Sequence, residues 1–224
     1  MSDATPKVIS EPTLRRLPHY HRYLKSLAEQ GRDVVSCPNI GAALGLDPTQ
    51  VRKDLEATGA VGRPRVGYSI PRLLEAIETV LGWNNVSQAF LAGAGHLGAA
   101  LLGYRRFAES GLEIVAAFDT DPAKIGRPLH GREVLPLEKL PQLARRMHVM
   151  VGILAVPAEA AQAVADLMVE GGIRAIWNFA PVRLRVPETV IVQHEDLHAS
   201  LAALTQKLAS TLQAEVRKGA EHVR

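Results

Sequence analysis

The stretch Ala89-Phe-Leu-Ala-Gly-Ala-Gly-His-Leu-Gly-Ala-Ala-Leu-Leu-Gly103 constrains this chain more than any other. A short apolar run passes into Gly93-Ala94-Gly95-His96-Leu97-Gly98 and then into an Ala-rich segment, which predicts strand, glycine turn and helix start. In such a turn the three glycines have separate uses. Gly93 permits the tight turn, Gly95 lets backbone approach a pyrophosphate, and Gly98 lets the helix pack closely on the strand. The free N–H groups and positive dipole end of that helix then face phosphates. By itself the hexapeptide is a weak signal, because Gly-rich turns precede many helices. A second apolar run, Leu112–Phe118, ends at Asp119, near the expected spacing of about twenty residues. A carboxylate there accepts hydrogen bonds from adenine-ribose hydroxyls and repels a 2′-phosphate, which predicts that NAD(H) is favoured over NADP(H). The competing reading is a packing turn followed by a turn-forming Asp ahead of Asp121-Pro122.

Downstream of Val86 the chain alternates strand and helix patterns: Leu135–Met147 as helix, Met147–Val156 as strand, Ala158–Glu170 as helix, then strands Ile173–Phe179 and Val190–Gln193. Strands separated by helices of this length predict a parallel, doubly wound sheet. The last segment, Asp196–Arg224, is one long helical pattern with Leu197, Leu201, Leu204, Leu208 and Leu212 at three- and four-residue spacing. It is long for a final element on a small sheet, so packing against a second subunit, as a homodimer, is expected.

The first third differs in pattern. Thr13–Gln30 places Leu14, Leu17, Tyr20, Leu24 and Leu27 on one helical face, with Pro18 predicting a kink or a late start and Gly31 a stop. Ser36 caps a helix over Pro38–Leu44 that ends at Gly45, and Asp47 caps another, with Pro48 in its first turn, over Thr49–Ala57. Two helices joined by a Gly-containing turn form a helix-turn-helix signature. Val51 and Leu55 face inward, leaving Thr49, Gln50, Arg52, Lys53 and Glu56 outward. The following Gly59–Ile70 reads as a hairpin loop with Arg63 and Arg65 near its tip, and Leu73–Leu81 as a closing helix before the linker Gly82–Asn85. That layout is a winged helix. Entry of the second helix into a major groove would present Thr49, Gln50, Arg52 and Lys53 to bases or phosphates.

Charge agrees with that division. Net charge is only +3, but Thr13–Arg72 holds ten Lys/Arg against five Asp/Glu, which is compatible with a polyanion partner. Apolar residues make up 47% and charged residues 22%, ordinary for a globular chain with ample core. No uninterrupted apolar run reaches membrane-spanning length, Met1–Lys7 lacks a signal-peptide pattern, and Ser2–Lys7 reads as a loose polar tail. The single Cys37 leaves no intramolecular disulfide. A cytoplasmic protein without a membrane partner is expected.

Several separate motifs, in order, resemble those of the Rex family of redox-sensing transcriptional repressors over roughly Ser10 to Leu208. They are Arg16-Leu-Pro with Tyr20 and Tyr23, Gln50-Val-Arg-Lys-Asp-Leu55, Gly67-Tyr68, the glycine turn, Phe118-Asp-Thr-Asp-Pro122, Lys124-Ile-Gly126, Ile153-Leu-Ala-Val-Pro157 and Trp177-Asn-Phe-Ala-Pro181. The resemblance implies an α/β chain in three parts: a winged-helix DNA-binding domain (1–82), an NAD(H)-binding Rossmann domain with a doubly wound parallel sheet (86–196) and a swapped C-terminal dimerisation helix (197–224). It implies that NADH binding releases the homodimer from inverted-repeat operator DNA, NAD⁺ competing less effectively. It adds Lys124, Tyr104 and Pro157 to the nucleotide-binding residues and Arg16 and Tyr68 to the DNA-binding ones. Arg22, Tyr104 and Asp196 match switching positions, the Asp exchanging partners between subunits. The chain departs from the family at Leu197, where some members carry an aromatic beside the nicotinamide, and at His96, where Asn or Arg is often found.

Two other classes compete. A dehydrogenase needs a substrate domain and an acid or base near the nicotinamide, and little chain remains for them, so no enzyme is expected. A CoA-binding domain uses a similar sheet and turn, against which Asp119 and the helix-turn-helix argue. His194 and His198 lie four apart, but a helix start capped by Asp196 explains them better than a metal site.

Overall fold

The computed structural model describes residues 9–85 and 87–221. The expected tail Ser2–Lys7 and residue Val86, at the expected start of the second domain, lie outside the described residues. Two compact units divide between Val86 and Ser87, except that Glu109–Gly111 groups with the first.

In the first unit, α1 (Glu11–Glu29) is capped by Ser10, whose hydroxyl accepts from the Thr13 N–H at 3.4 Å. With Pro12 in its first turn, the helix starts two residues before Thr13 and runs through Pro18, so the expected late start is corrected. Strand β1 (Val34–Val35) precedes α2 (Cys37–Leu44) and α3 (Pro48–Ala57). The capping signals work as read: Ser36 accepts from Asn39 N–H, Gly45 adopts φ 66°, and Asp47 accepts from the Thr49 and Gln50 N–H groups, which holds its carboxyl below the usual range. Strand β2 (Tyr68–Ser69) pairs antiparallel with β1 and feeds α4 (Ile70–Leu81), which begins three residues earlier than expected. Leu17, Tyr20, Leu24, Val51, Leu55, Ile70, Leu73 and Ile77 form one core. Leu14, expected on that face, is 36% exposed.

The second unit is a seven-stranded sheet. Its strands are β3 (Ser87–Ala92), β4 (Leu112–Asp119), β5 (Pro128–Leu129), β6 (Arg132–Pro136), β7 (Val151–Leu154), β8 (Ala175–Asn178) and β9 (Ile191–His194), in the order β5-β6-β4-β3-β7-β8-β9. All neighbours are parallel except β5 and β6. Helices α5 (His96–Leu102), α6 (Arg106–Glu109), α7 (Leu140–Met147) and α8 (Ala158–Glu170) connect them, with a short 3₁₀ turn at Leu137–Lys139. Helix therefore begins at Leu137 rather than Leu135, because β6 runs to Pro136. Along β3, Phe90 and Ala92 pack in one cluster and Ala89 and Leu91 in the other, so the central strand is buried on both faces. Leaving aside antiparallel β5, the order is that of a doubly wound sheet with its reversal between β3 and β7, where ligands bind beyond the carboxyl ends of the strands. Helix α9 (Leu197–Glu221) completes the unit, and Leu201, Leu204, Leu208 and Leu212 on it are each more than half exposed.

Candidate functional site

At the reversal point the three glycines separate by what a side chain would meet. A Cβ on Gly93, which has φ 99°, would lie 2.2 Å from the Ala155 carbonyl oxygen; one on Gly98 would lie 1.8 Å from that of Gly93. Both are demanded by backbone packing. At Gly95 a Cβ would meet nothing within 4 Å, so its bareness serves something other than the fold. Gly95 is also the N-cap of α5 and brings no side chain to its free N–H groups. A crevice of about 350 Å³ opens here, lined by Gly93, Gly95, Phe118–Asp121, Lys124, Leu137, Ala155–Pro157, Ala160 and Val164. This cradle and its unfilled helix start suit a pyrophosphate. Ala94 is buried in the turn, His96 is exposed and Leu97 is 38% exposed.

Asp119 ends β4 at the floor of the crevice. Its Oδ2 accepts from the Ala94 N–H (2.8 Å) and from Lys124 Nζ (3.0 Å), and Oδ1 from the Asp121 N–H (2.9 Å). Burial pushes this carboxyl up, but the Asp121, Lys124 and Ala94 donors outweigh it and hold it below its ordinary value. A carboxylate has about four lone-pair sites, so roughly one remains for a ligand hydroxyl. Asp119 thus has a structural role not read from the sequence: it ties the glycine turn to the end of β4.

On the first unit, Arg52, Glu56, Arg63, Pro64, Arg65 and Tyr68 line a groove of about 690 Å³ between α3 and the loop Ala60–Gly67. Arg63 and Gly67 close the loop through reciprocal backbone hydrogen bonds of 2.8 and 2.9 Å, which puts Arg65, at φ 61°, at the tip. Thr49, Arg52, Lys53, Arg63 and Arg65 are all exposed, as expected. The Tyr68 ring is half-buried against Gly62, and its phenol is raised by burial and then by the nearby Cys37 and Glu56.

Two expected DNA contacts are placed differently. Arg16 donates to Asp54 through Nε (2.6 Å) and Nη2 (2.8 Å), and the Gln50 amide donates to the same carboxylate at 2.9 Å. Tyr20 Oη (2.6 Å) and Thr13 Oγ1 (3.0 Å) complete five hydrogen bonds to one buried acid. Arg16, which the resemblance placed at the DNA, is therefore turned inward and braces α3 on α1, while Gln50, read as outward from helical spacing, bends along α3 to the same carboxylate. Sequence reasoning missed Asp54 because three of its four partner residues, Thr13, Arg16 and Tyr20, lie on another helix.

Among the switching positions, Arg22 is exposed beside His19, Tyr104 is 49% exposed, and Asp196 caps α9 through the Ala199 N–H at 2.9 Å. The side chain of Leu197 lies outside the described residues. His194 Nδ1 meets the Asn178 amide at 3.0 Å, and no group of three metal-ligating side chains occurs among the described residues. No described helix is long and apolar enough to cross a membrane.

The comparisons with known proteins follow this division. Residues 8–56 match a family described as putative DNA-binding protein N-terminus, and residues 84–182 match one described as CoA binding domain. Redox-sensing transcriptional repressor Rex of Bacteroides thetaiotaomicron is 43% identical over 200 residues, covering 89% of this chain and 91% of its own. That of Treponema denticola is 44% identical over 201 residues, covering 90% and 96%. Among solved structures, RSP in complex with β-NAD⁺ and operator DNA gives a TM-score of 0.86 at 33% identity, covering 95% of this chain and 98% of that one. RSP in complex with β-NADH gives 0.82 at 32%, covering 93% and 98%. With this identity along nearly its whole length, the chain belongs to the Rex family of redox-sensing transcriptional repressors.

Proposed function

We propose that this chain is a homodimeric repressor that binds inverted-repeat operator DNA and is released from it by NADH, with NAD⁺ as the weaker competitor. The observation that carries the reading is Gly95: its bare backbone faces open space at the reversal point of a nucleotide-binding sheet, in a chain that also carries a basic winged helix. Gly93–Gly98 take the pyrophosphate. Asp119 takes the adenine ribose, Lys124 and Pro157 border it, and Tyr104 stands towards the nicotinamide. On the DNA side Thr49, Arg52 and Lys53 meet the major groove and Arg63 and Arg65 the adjoining backbone or minor groove; Arg16, Gln50 and Tyr68 act mainly by holding that surface. Domain limits of 1–82, 86–196 and 197–224 accompany this assignment, as does a cytoplasmic location and the absence of a catalytic role. Arg22, Tyr104 and Asp196 form the switch, in which NADH favours a conformation that DNA disfavours, reciprocally by linkage.

Fluorescence anisotropy of a labelled inverted-repeat duplex at fixed salt, with NADH, NAD⁺, NADPH and CoA titrated in parallel, tests this directly. Release by NADH at concentrations well below those needed for the others is the expected result; indifference to all four would sink it. In Asp119→Ala the NADH-over-NADPH preference should shrink about tenfold, because loss of the carboxylate leaves Lys124 free to meet a 2′-phosphate. An unchanged ratio removes Asp119 from the ribose site.

The four exposed leucines of α9 support dimerisation, since an apolar stripe of this length is costly to leave in water. Leu204→Asp with Leu208→Asp is expected to convert the dimer to a monomer in light scattering at micromolar concentration. A variant that stays dimeric would place the interface elsewhere.

A further inference from the structure

An aromatic series joins the end of the glycine-turn helix to β8, the neighbour of the strand β9 that leads into α9. Tyr104, two residues past α5, stands edge-on to Phe107 (4.9 Å between centroids), Phe107 to Trp177 on β8 (5.4 Å), and Trp177 stacks tilted on Phe179 (4.8 Å). From this cluster Trp177 Nε1 donates to Glu195 Oε1 at 3.0 Å. Glu195 is the last residue before the Asp196 cap of α9, and its own N–H is held by the Asn178 carbonyl at 2.9 Å. The indole N–H is a strict donor that wants a partner when half-buried. Its partner sits where the chain leaves the sheet for the helix with the unpaired leucine stripe. The rings and the hydrogen bond thus form one continuous packed path from Tyr104 to the root of α9, a route by which a shift of the Tyr104 ring would reach that helix start.

We infer that Trp177 and Glu195 are a positioning pair coupling occupancy of the glycine turn to the start of α9, a role that rests on the nucleotide-dependent reading above. The proposed function assigns neither residue to holding the nucleotide or the DNA. Their loss should therefore lower the coupling factor, the ratio of DNA dissociation constants with and without saturating NADH, more than either affinity alone.

The test uses full-length protein and an operator duplex selected in vitro. Glu195→Ala and Trp177→Phe should each reduce the coupling factor about tenfold (~1.4 kcal/mol), with NADH dissociation constants within about threefold of the parent by calorimetry. Glu195→Gln keeps an acceptor oxygen and should stay within about twofold of the parent. The double variant should lose no more than either single one, because both break the same bond. The pair is refuted by an unchanged coupling factor in both single variants, by a Gln variant as impaired as Ala, by additive losses, or by NADH affinity falling in step with coupling. Should NADH fail to release the parent from DNA, the functional reading fails first. The pair is then judged by amide hydrogen exchange at Ala199–Leu201, which NADH should alter in the parent and not in Trp177→Phe. An equal change in both would overturn it.

Discussion

Asp54→Ala is expected to destabilise the N-terminal unit by about 3–5 kcal/mol, the range for removing one partner of a buried, hydrogen-bonded ion pair. Asp54 is 1% exposed and is the common acceptor for Arg16, Tyr20, Thr13 and Gln50. Its removal strands the fully buried Tyr20 hydroxyl and leaves the Arg16 guanidinium beside an apolar core. Because α1 and α3 are bridged by this one carboxylate, the recognition surface should lose its footing together with the fold. DNA binding should disappear while NADH binding by the second unit persists, a separation that calorimetry and anisotropy on the same sample would read. A variant that melts like its parent and still binds DNA would show that the hub is dispensable.

The same carboxylate sets a pH limb. Burial pushes Asp54 up, but the donations from Arg16, Tyr20, Gln50 and Thr13 more than offset it, so its folded value lies below the ordinary one. A depressed folded value contributes stability that is complete above the unfolded value, near 3.9 for Asp, and is lost as pH falls through the folded value. The first unit of the parent should therefore lose stability below about pH 4, and Asp54→Asn should flatten that limb.

The hub also marks what the chain does and does not announce locally. Caps act within three or four residues, so Ser36, Gly45 and Asp47 declare their helix ends in sequence, and α8 is found over the predicted residues. The glycine turn is equally local. Asp54 is read as one more polar residue on a helix, because its donors Arg16, Tyr20 and Thr13 lie 34 to 41 residues away. A separation of 18 residues likewise hides the Trp177–Glu195 bond. Strands β5 and β6 were missed for another reason. Their two-residue loop His130–Gly131 has φ of 48° and 80°, the left-handed pair of a tight hairpin turn that Asn-Gly signals far more clearly than His-Gly. The edge pair is also only two residues long on one side, too short for an alternating pattern. Periodicity overreached at Leu14, since a helix face wider than its neighbours can cover leaves its margin exposed.

Within the proposed nucleotide site, two glycines three residues apart should fail in different ways. Gly98→Ala places a methyl 1.8 Å from the Gly93 carbonyl oxygen, where the obstacle is backbone that cannot swing aside. Helix α5 must lift from the β3 turn, which carries the Gly93 N–H bond to the Phe118 carbonyl at 2.8 Å and the Ala94 N–H bond to Asp119. Overpacking of this kind costs about 1–3 kcal/mol or more, so the variant should melt several degrees lower even without nucleotide and should also bind NADH poorly. Gly95→Ala meets nothing within 4 Å and keeps an extended φ of −82° that alanine adopts freely. Its nucleotide-free stability should stay within about 1 kcal/mol of the parent, the scale of an N-cap change. Yet its methyl stands where backbone must approach a pyrophosphate, so NADH affinity should fall at least about tenfold. Thermal melts with and without NADH read both effects at once: a lowered baseline for Gly98→Ala, and an unshifted baseline with no NADH-induced rise for Gly95→Ala. If Gly95→Ala were stabilised by NADH as strongly as the parent, the phosphates would have to lie elsewhere in the crevice, and the assignment of this turn would fall with it.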